Sequence, residues 1–408
     1  MTPCPIIILP SHRLIKMPKM KFQGIPAKQA GFSLIDLMVG AIIGLLTTLV
    51  IMYSFKAFEG QKRTTDSLAG AQSDGLLAMI TLDDAIRPAG LGLFANGSLI
   101  CSSVNVYYNG SVVANGASMM PVNITDGGAS GGSDSIQTMT SQSQSGSASA
   151  AIAQPMPTPS SVLTVTTSNG ISVNDLVMVG DPTSPTTPCT VMSVTALQNT
   201  ANGVNLIHNS GLSPWNPPNL ASTFSSVGPY SINAVVVPLG SISRTQFQVL
   251  CNSLASTDLN SGSTSPPSCA GSTFTNAAPV AANVVNIQAQ YGIVPPSLVG
   301  GITCWVNATG AGTNACDGNN WINPTPANIQ RIEAIHVAVT VMSPQKEKPD
   351  SSGVCTATAS TTAANYPVSW VGGPIIDVTT IPHLQDWQCY RYKVFQTIIP
   401  IRNAIWAN

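Results

Sequence analysis

The sequence predicts an α+β protein, in which a long N-terminal helix, membrane-spanning in its first half and amphipathic in its second, packs on a large disulfide-bonded antiparallel β domain. Three observations predict this. Residues 31–55 carry a single charge, Asp36, in an otherwise apolar run. No proline lies between Pro26 and Pro88, so one helix can extend from Phe32 to about Arg87. Beyond it, eight cysteines are spread through a chain with only 8% charged residues and 65 glycines and prolines among 408 residues, a profile of loop-rich β structure outside the cytoplasm.

The apolar run comes first. About 20 helical residues at ~1.5 Å each cross the ~30 Å hydrocarbon layer, so residues 32–55 read as a span. A generic signal anchor or a buried core helix would leave two features unexplained: the glycine boundary at Gly31 and the carboxylate of Asp36. A lone acid inside a span costs roughly 2.5–3.5 kcal/mol and so marks a function with a partner. Gly40 and Gly44 form a G-x-x-x-G that lets a second helix approach closely, although glycine pairs are common in spans.

Residues 1–31 hold five basic side chains and no acid, which reads as a processing leader kept in the cytoplasm, with everything after Phe55 sent across the membrane. Initiation at Met17 or Met20 would give a shorter basic leader. Without the leader the chain has 11 basic against 17 acidic residues, about −6, so a basic surface for nucleic acid is absent.

Residues 56–87 turn amphipathic. Lys56, Glu59, Lys62, Arg63 and Asp66 are expected in solvent, while Leu76, Met79, Ile80, Leu82 and Ile86 recur at helical spacing and are expected to pack on the domain. Gly60, Gly70 and Gly75 each weaken the helix by about 1 kcal/mol relative to alanine, which predicts bending or local melting.

Residues 88–408 read as the β domain. Between Leu99 and Ile124, Asn109-Gly110 and Asn115-Gly116 are expected hairpin turns. Residues 127–161 and 252–280 are expected loops, and strands are expected at 161–167, 174–181, 191–197 and 204–208. The eight cysteines allow 105 pairings. The expected set is the sequence-local pairs Cys251–Cys269, Cys304–Cys316 and Cys355–Cys389, leaving Cys101–Cys189, with buried free thiols as the alternative. No C-x-x-C is present to support redox catalysis or a zinc ribbon.

The segment Gly31-Phe32-Ser33-Leu34-Ile35-Asp36-Leu37-Met38-Val39 resembles the class III signal of type IV pilins. That resemblance implies cleavage by a prepilin peptidase between Gly31 and Phe32 and N-methylation of Phe32. It also implies subunit docking, in which Asp36 of one subunit neutralises the Phe32 amine of its neighbour. Asp stands here where the family mostly has Glu, keeping the charge with less reach.

Four further stretches are similar to PilW-type minor pilins. They are Ile86-Arg87-Pro88-Ala89-Gly90 at the helix end, the short strand from Ser133 to Ile136, the strand from Val284 to Tyr291-Gly292, and the closing strand from Arg391 to Arg402-Asn403. The resemblance runs from Gly31 to Asn403. It implies a non-catalytic minor pilin in a priming or tip complex, held in the inner membrane with its domain in the periplasm and later at the pilus surface. Its implied partners are the prepilin peptidase, other minor pilins, the major pilin and the inner-membrane assembly platform. At 377 residues after cleavage the chain is large for a repeating shaft subunit. A J-type pseudopilin of type II secretion shares the same signal, and an adhesin or ligand-binding module displayed on the pilus is the reading from another class.

Enzyme chemistry finds little support. Gly128-Ala129-Ser130-Gly131-Gly132 fits G-x-S-x-G but lacks the strand before and helix after that a nucleophile elbow needs. The histidines at 12, 208, 336 and 383 are isolated, with no H-E-x-x-H. Asp317-Gly318-Asn319-Asn320 is turn chemistry short of the acids a calcium site uses. No phosphate loop, cofactor motif or metal site is expected. Trp305, Trp321 and Trp387 near cysteines are expected in cores, with an exposed aromatic patch as the alternative.

Overall fold

In the computed structural model, four β-sheets and a 53-residue helix account for most of the architecture. It describes residues 33–408 except 96–97, 129–130, 142–147, 157–161, 169, 185, 261–264, 351, 359–369, 371, 374–375, 380–385 and 406–408. The chain forms two compact units, one ending at Gln61 and the other beginning at Lys62.

The helix runs from Leu34 to Ile86 without a break. Gly60, Gly70 and Gly75 do not melt it, and Gly75 has a packing role. A β-carbon built there would lie 2.3 Å from the ring of Phe395 on the strand Tyr392–Pro400, so this position is reserved for the close approach of a ring. The buried face is in part the one periodicity predicted, with Met79, Leu82 and Ile86 on it as expected and Leu76 and Ile80 off it. Ser67, Ala71, Gly75, Ala78, Met79, Leu82 and Ile86 are buried, whereas Leu76 and Ile80 are 55% and 59% exposed. Small residues on one stripe bring the helix axis close to the sheet, and that contact outweighs the larger side chains a few tens of degrees around. Full burial of Leu82 and Ile86 contributes about 1.5–3 kcal/mol each.

The helix is pinned at both ends of its packed half. Asn283 donates to Asp74 at 2.6 Å. At the far end, the Asn403 amide donates to the carbonyls of Pro88 and Ala89 at 2.9 and 3.2 Å, and the Arg402 N–H to that of Arg87. These bonds tie Arg402-Asn403 to the turn that follows the helix.

A four-stranded antiparallel sheet lies under the helix, in the order Cys304–Val306, Val284–Ile293, Ile332–Met342, Tyr392–Pro400. Every residue of Val284–Ile293 is buried, the mark of a central strand covered on both faces. A five-stranded antiparallel sheet has the order Ala278–Ala282, Ser253–Asp258, Ile242–Leu250, Ser135–Ser141, Val122–Thr125. The six-stranded sheet has the order Ser111–Ser118, Ser103–Tyr108, Cys189–Ser193, Leu176–Gly180, Val235–Gly240, Ala150–Ala151. Cys189–Ser193 runs parallel to Ser103–Tyr108, and the other named pairs are antiparallel. A three-stranded sheet, Ala196–Thr200, Gly203–Ile207, Val162–Val165, completes the set.

Several expectations are corrected. Asn109-Gly110 does turn the hairpin between 103–108 and 111–118, with φ of 46° and 86°. Asn115-Gly116 instead sits inside the second strand as a bulge, where the Gly116 N–H reaches the Asn105 side chain at 2.9 Å. The expected loop at 127–161 contains the strands Ser135–Ser141 and Ala150–Ala151. The expected loop at 252–280 is mostly strand, Ser253–Asp258, Ser268–Ala270 and Thr273–Thr275, with another opening at Ala278. Polar composition misled in both places, because the serines and threonines of Ser135–Ser141 and Ser253–Asp258 sit half-buried or buried within strands. The expected strand at 191–197 is two strands, 189–193 and 196–200, in different sheets.

Candidate functional site

The N-terminal helix begins on its own cap. Ser33 Oγ accepts the Ile35 N–H at 3.3 Å and its carbonyl accepts that of Leu37 at 3.2 Å. Asp36 therefore sits in the first turn, where the positive end of the helix dipole favours a carboxylate. Gly31 and Phe32 lie outside the described residues. From Leu34 to Phe58 the large apolar side chains are exposed, Leu34 by 76% and Phe55 by 71%. This helix is long and apolar enough to cross a membrane. A β-carbon at Gly40 or Gly44 would meet nothing within 4 Å, so the G-x-x-x-G face is uncovered among the described residues.

Four disulfides staple the β domain: Cys101–Cys189, Cys251–Cys269, Cys304–Cys316 and Cys355–Cys389. Cys304 and Cys316 close a loop that delivers Asp317 to Arg331, whose Nη2 donates to the carboxylate at 2.6 Å. Both side chains are more than nine-tenths buried. Burial pushes the Asp317 carboxyl upward, but the Asn319 N–H and Arg331 outweigh it and hold the group below its ordinary range. Asp317-Gly318-Asn319-Asn320 is thus a turn that feeds a buried ion pair. Arg331 also lies over Trp321, 5.7 Å from its centroid, and Trp321 is fully buried as expected of a core residue.

The G-x-S-x-G segment has a structural use. The carbonyls of Gly131 and Gly132 accept from the side chains of Asn286 and Gln288 at 2.9 and 2.5 Å, laying the glycine tract along the strand Val284–Ile293. Ser130 lies outside the described residues, as do His12, His383 and Trp406. Next to this tract is Asp134, a buried carboxyl that accepts the N–H groups of Gly127 and Ala289 at 2.8 and 2.7 Å. His336 lies between Trp305 and Trp370, at centroid distances of 5.1 and 4.3 Å, and burial lowers its pKa. Among the described residues no His, Cys, Asp and Glu cluster could hold a metal ion.

Two buried groups titrate in opposing senses. Burial lifts Asp134 from 3.8 to about 7, against the two N–H bonds, and burial lowers His208 from 6.5 to about 4. Between those limits, falling pH adds to the folded state a proton on Asp134 that an unfolded aspartate still lacks, which stabilises. Over the same window an unfolded histidine takes a proton that His208 refuses, which destabilises. Each effect amounts to roughly 3–4 kcal/mol at ~1.4 kcal/mol per pH unit, so in the native chain they largely cancel. His208→Gln should uncover the Asp134 effect, with the variant gaining about 2–3 kcal/mol on the native protein between pH 7 and pH 4.5 in urea titrations. A difference that stays constant with pH would show that His208 titrates normally.

Sequence reading missed Arg331, Asp134 and the half-buried Arg244. For Arg331 the only local signal was its place just before a long alternating strand.

Comparison with known proteins follows the same division of the chain. A family model described as Type IV Pilus-assembly protein W, PilW, matches residues 248–403. No curated protein matches the chain in sequence. Among solved structures, a type IV-like pilin from Thermus thermophilus aligns at 12% identity over 57% of this chain and 87% of its own, with a TM-score of 0.19, a likeness too slight to carry an argument. Residues 248–403, which hold the four-stranded sheet, the Arg331–Asp317 pair and the Arg402-Asn403 segment bonded to the turn after the helix, match the PilW family of type IV pilus assembly, the family the sequence resembles.

Proposed function

We propose that this chain is a minor pilin that takes part in assembling a type IV pilus, in its priming or tip complex. The match of residues 248–403 to the PilW family carries the reading. The exposed apolar helix with one acid in its first turn supports it, because such a surface needs lipid or other helices around it. In this reading the prepilin peptidase cuts after Gly31 and the Phe32 amine, methylated but still cationic, becomes the partner of Asp36 in a neighbouring subunit. Residues 32–55 hold the precursor in the inner membrane, residues 56–87 continue the helix, and the domain from 88 onward stands in the periplasm before joining the pilus. Gly40 and Gly44 leave room for neighbouring helices of other minor pilins and the major pilin at the assembly platform. The role is structural, without catalysis.

Asp36→Ala should be cleaved normally yet be lost from the sheared pilus fraction at least tenfold, while Gly31→Ala should stay at precursor size on a blot. Recovery of Asp36→Ala in pili at the native level would remove the docking pair from the mechanism. A native protein whose first residue lies upstream of Phe32 would remove the filament role with it.

A further inference from the structure

Arg244 is the single Lys or Arg between Arg87 and Arg331. It lies on the strand Ile242–Leu250, paired in register with Met139, and lines a cavity of about 310 Å³ between the six-stranded and five-stranded sheets. That volume is at the lower end for sites that hold small organic ligands. The wall is apolar and adaptable, with Met120, Met139 and Met178 from three different segments. Tyr108 and Trp215, 4.6 Å apart at their centroids, add an aromatic side.

Among the described residues, the Arg244 guanidinium meets no partner of the kind such a group ordinarily has. It is half-buried, and among the described residues it forms no ion pair and donates no side-chain hydrogen bond. Burial alone shifts it, pulling its pKa below the ordinary value with no carboxylate to oppose the change. Arg331, the other buried arginine discussed above, is answered by a carboxylate, a carbonyl and an amide. On the neighbouring strand Asp258 stands opposite Thr245, so strand alternation turns it to the other face from Arg244, and it accepts the Asn260 N–H at 2.8 Å. Burying a cation without a partner costs stability, and no side-chain contact among the described residues recovers that cost. The amide side chains of Asn123, Gln137 and Asn260 also line the cavity.

We propose that this cavity is a binding site for a small apolar molecule bearing one carboxylate, which forks onto Arg244 while its body lies among the methionines and against Trp215. A carboxylate matches the two parallel N–H donors of one guanidinium. A dianion would ask for more positive charge than this wall supplies, in a chain that is acidic overall once its basic leader is set aside. The site is independent of the filament role proposed above.

The test uses the full chain in lipid nanodiscs, with 2-naphthoate as the probe, its neutral isostere 2-naphthamide as the control, and empty nanodiscs as the reference in equilibrium dialysis. Naphthoate should bind at least tenfold more tightly than the amide. Arg244→Gln should weaken naphthoate at least tenfold and leave the amide unchanged, while melting no lower than the native protein. Ala114→Phe, which fills the cavity from the hairpin strand, should abolish both. The proposal falls if naphthoate binds no better than to empty nanodiscs, if acid and amide bind alike, if either variant binds naphthoate as the native chain does, or if Arg244→Gln lowers the melting temperature.

Discussion

Replacing Arg331 with methionine should destabilise the β domain by about 3–5 kcal/mol, the cost of removing one partner from a buried ion pair. The substitution strands the Asp317 carboxylate in a site where only the Asn319 groups still reach it, and removes donors from the Val294 carbonyl and the Asn328 amide. Coulomb attraction alone does not decide the size of the loss; the desolvation of what is left behind does. The double variant Arg331→Met/Asp317→Asn should recover part of it, because the uncompensated charge is then gone. The surface pairs offer the contrast. Lys346–Asp386 and Arg391–Glu347 have side chains 31–58% exposed, and breaking either should cost no more than about 1 kcal/mol. Urea denaturation of the four proteins checks the ranking, and an Arg331→Met loss no larger than those of the surface pairs would mean that Asp317 is solvated after all.

The disulfide with the largest expected effect is Cys101–Cys189. It closes a loop of 88 residues, for which the chain-entropy model gives about 4–5 kcal/mol, against about 3 kcal/mol for the 18-residue Cys251–Cys269 loop. Its place adds to the effect. Cys189 opens a strand that pairs in parallel with Ser103–Tyr108, Cys189 in register with Val104, and a parallel pairing has no tight turn to hold its ends together. Both cysteines are buried in the main core, so alanine replacements also leave small cavities there. The pair Cys101→Ala/Cys189→Ala should therefore lower the denaturation midpoint more than Cys251→Ala/Cys269→Ala. Equal losses would show that the unfolded chain retains enough structure to hold the long loop closed.

Much of the architecture is legible in local sequence. A proline-free stretch with one acid near its start became an unbroken helix with that acid in its first turn, and the strand expected at 174–181 became Leu176–Gly180. Local sequence was misleading where two faces of one element differ in kind. Leu76 and Ile80 read as core by hydrophobicity, yet they are exposed, while Ala71, Gly75 and Ala78 join Met79, Leu82 and Ile86 on the buried face, Gly75 against the ring of Phe395. The polar runs near 127–161 and 252–280 read as loops, yet they hold the strands Ser135–Ser141 and Ser253–Asp258, whose serines and threonines are half-buried or buried in the ladder. The site was legible in the same measure: the processing motif and its acid are contiguous, while the partners of Arg331 come from positions 294, 317 and 328.

By itself the sequence determined the anchor helix, its single acid, the charge balance on either side of it and an even set of cysteines, since each depends on neighbours a few residues apart. The tertiary structure alone decided which stripe of the helix meets the sheet, that Asp317 answers Arg331, and that Arg244 lines a cavity between two sheets. Those outcomes are set by volume and solvation at contacts between segments tens to hundreds of residues apart, and no local pattern encodes them.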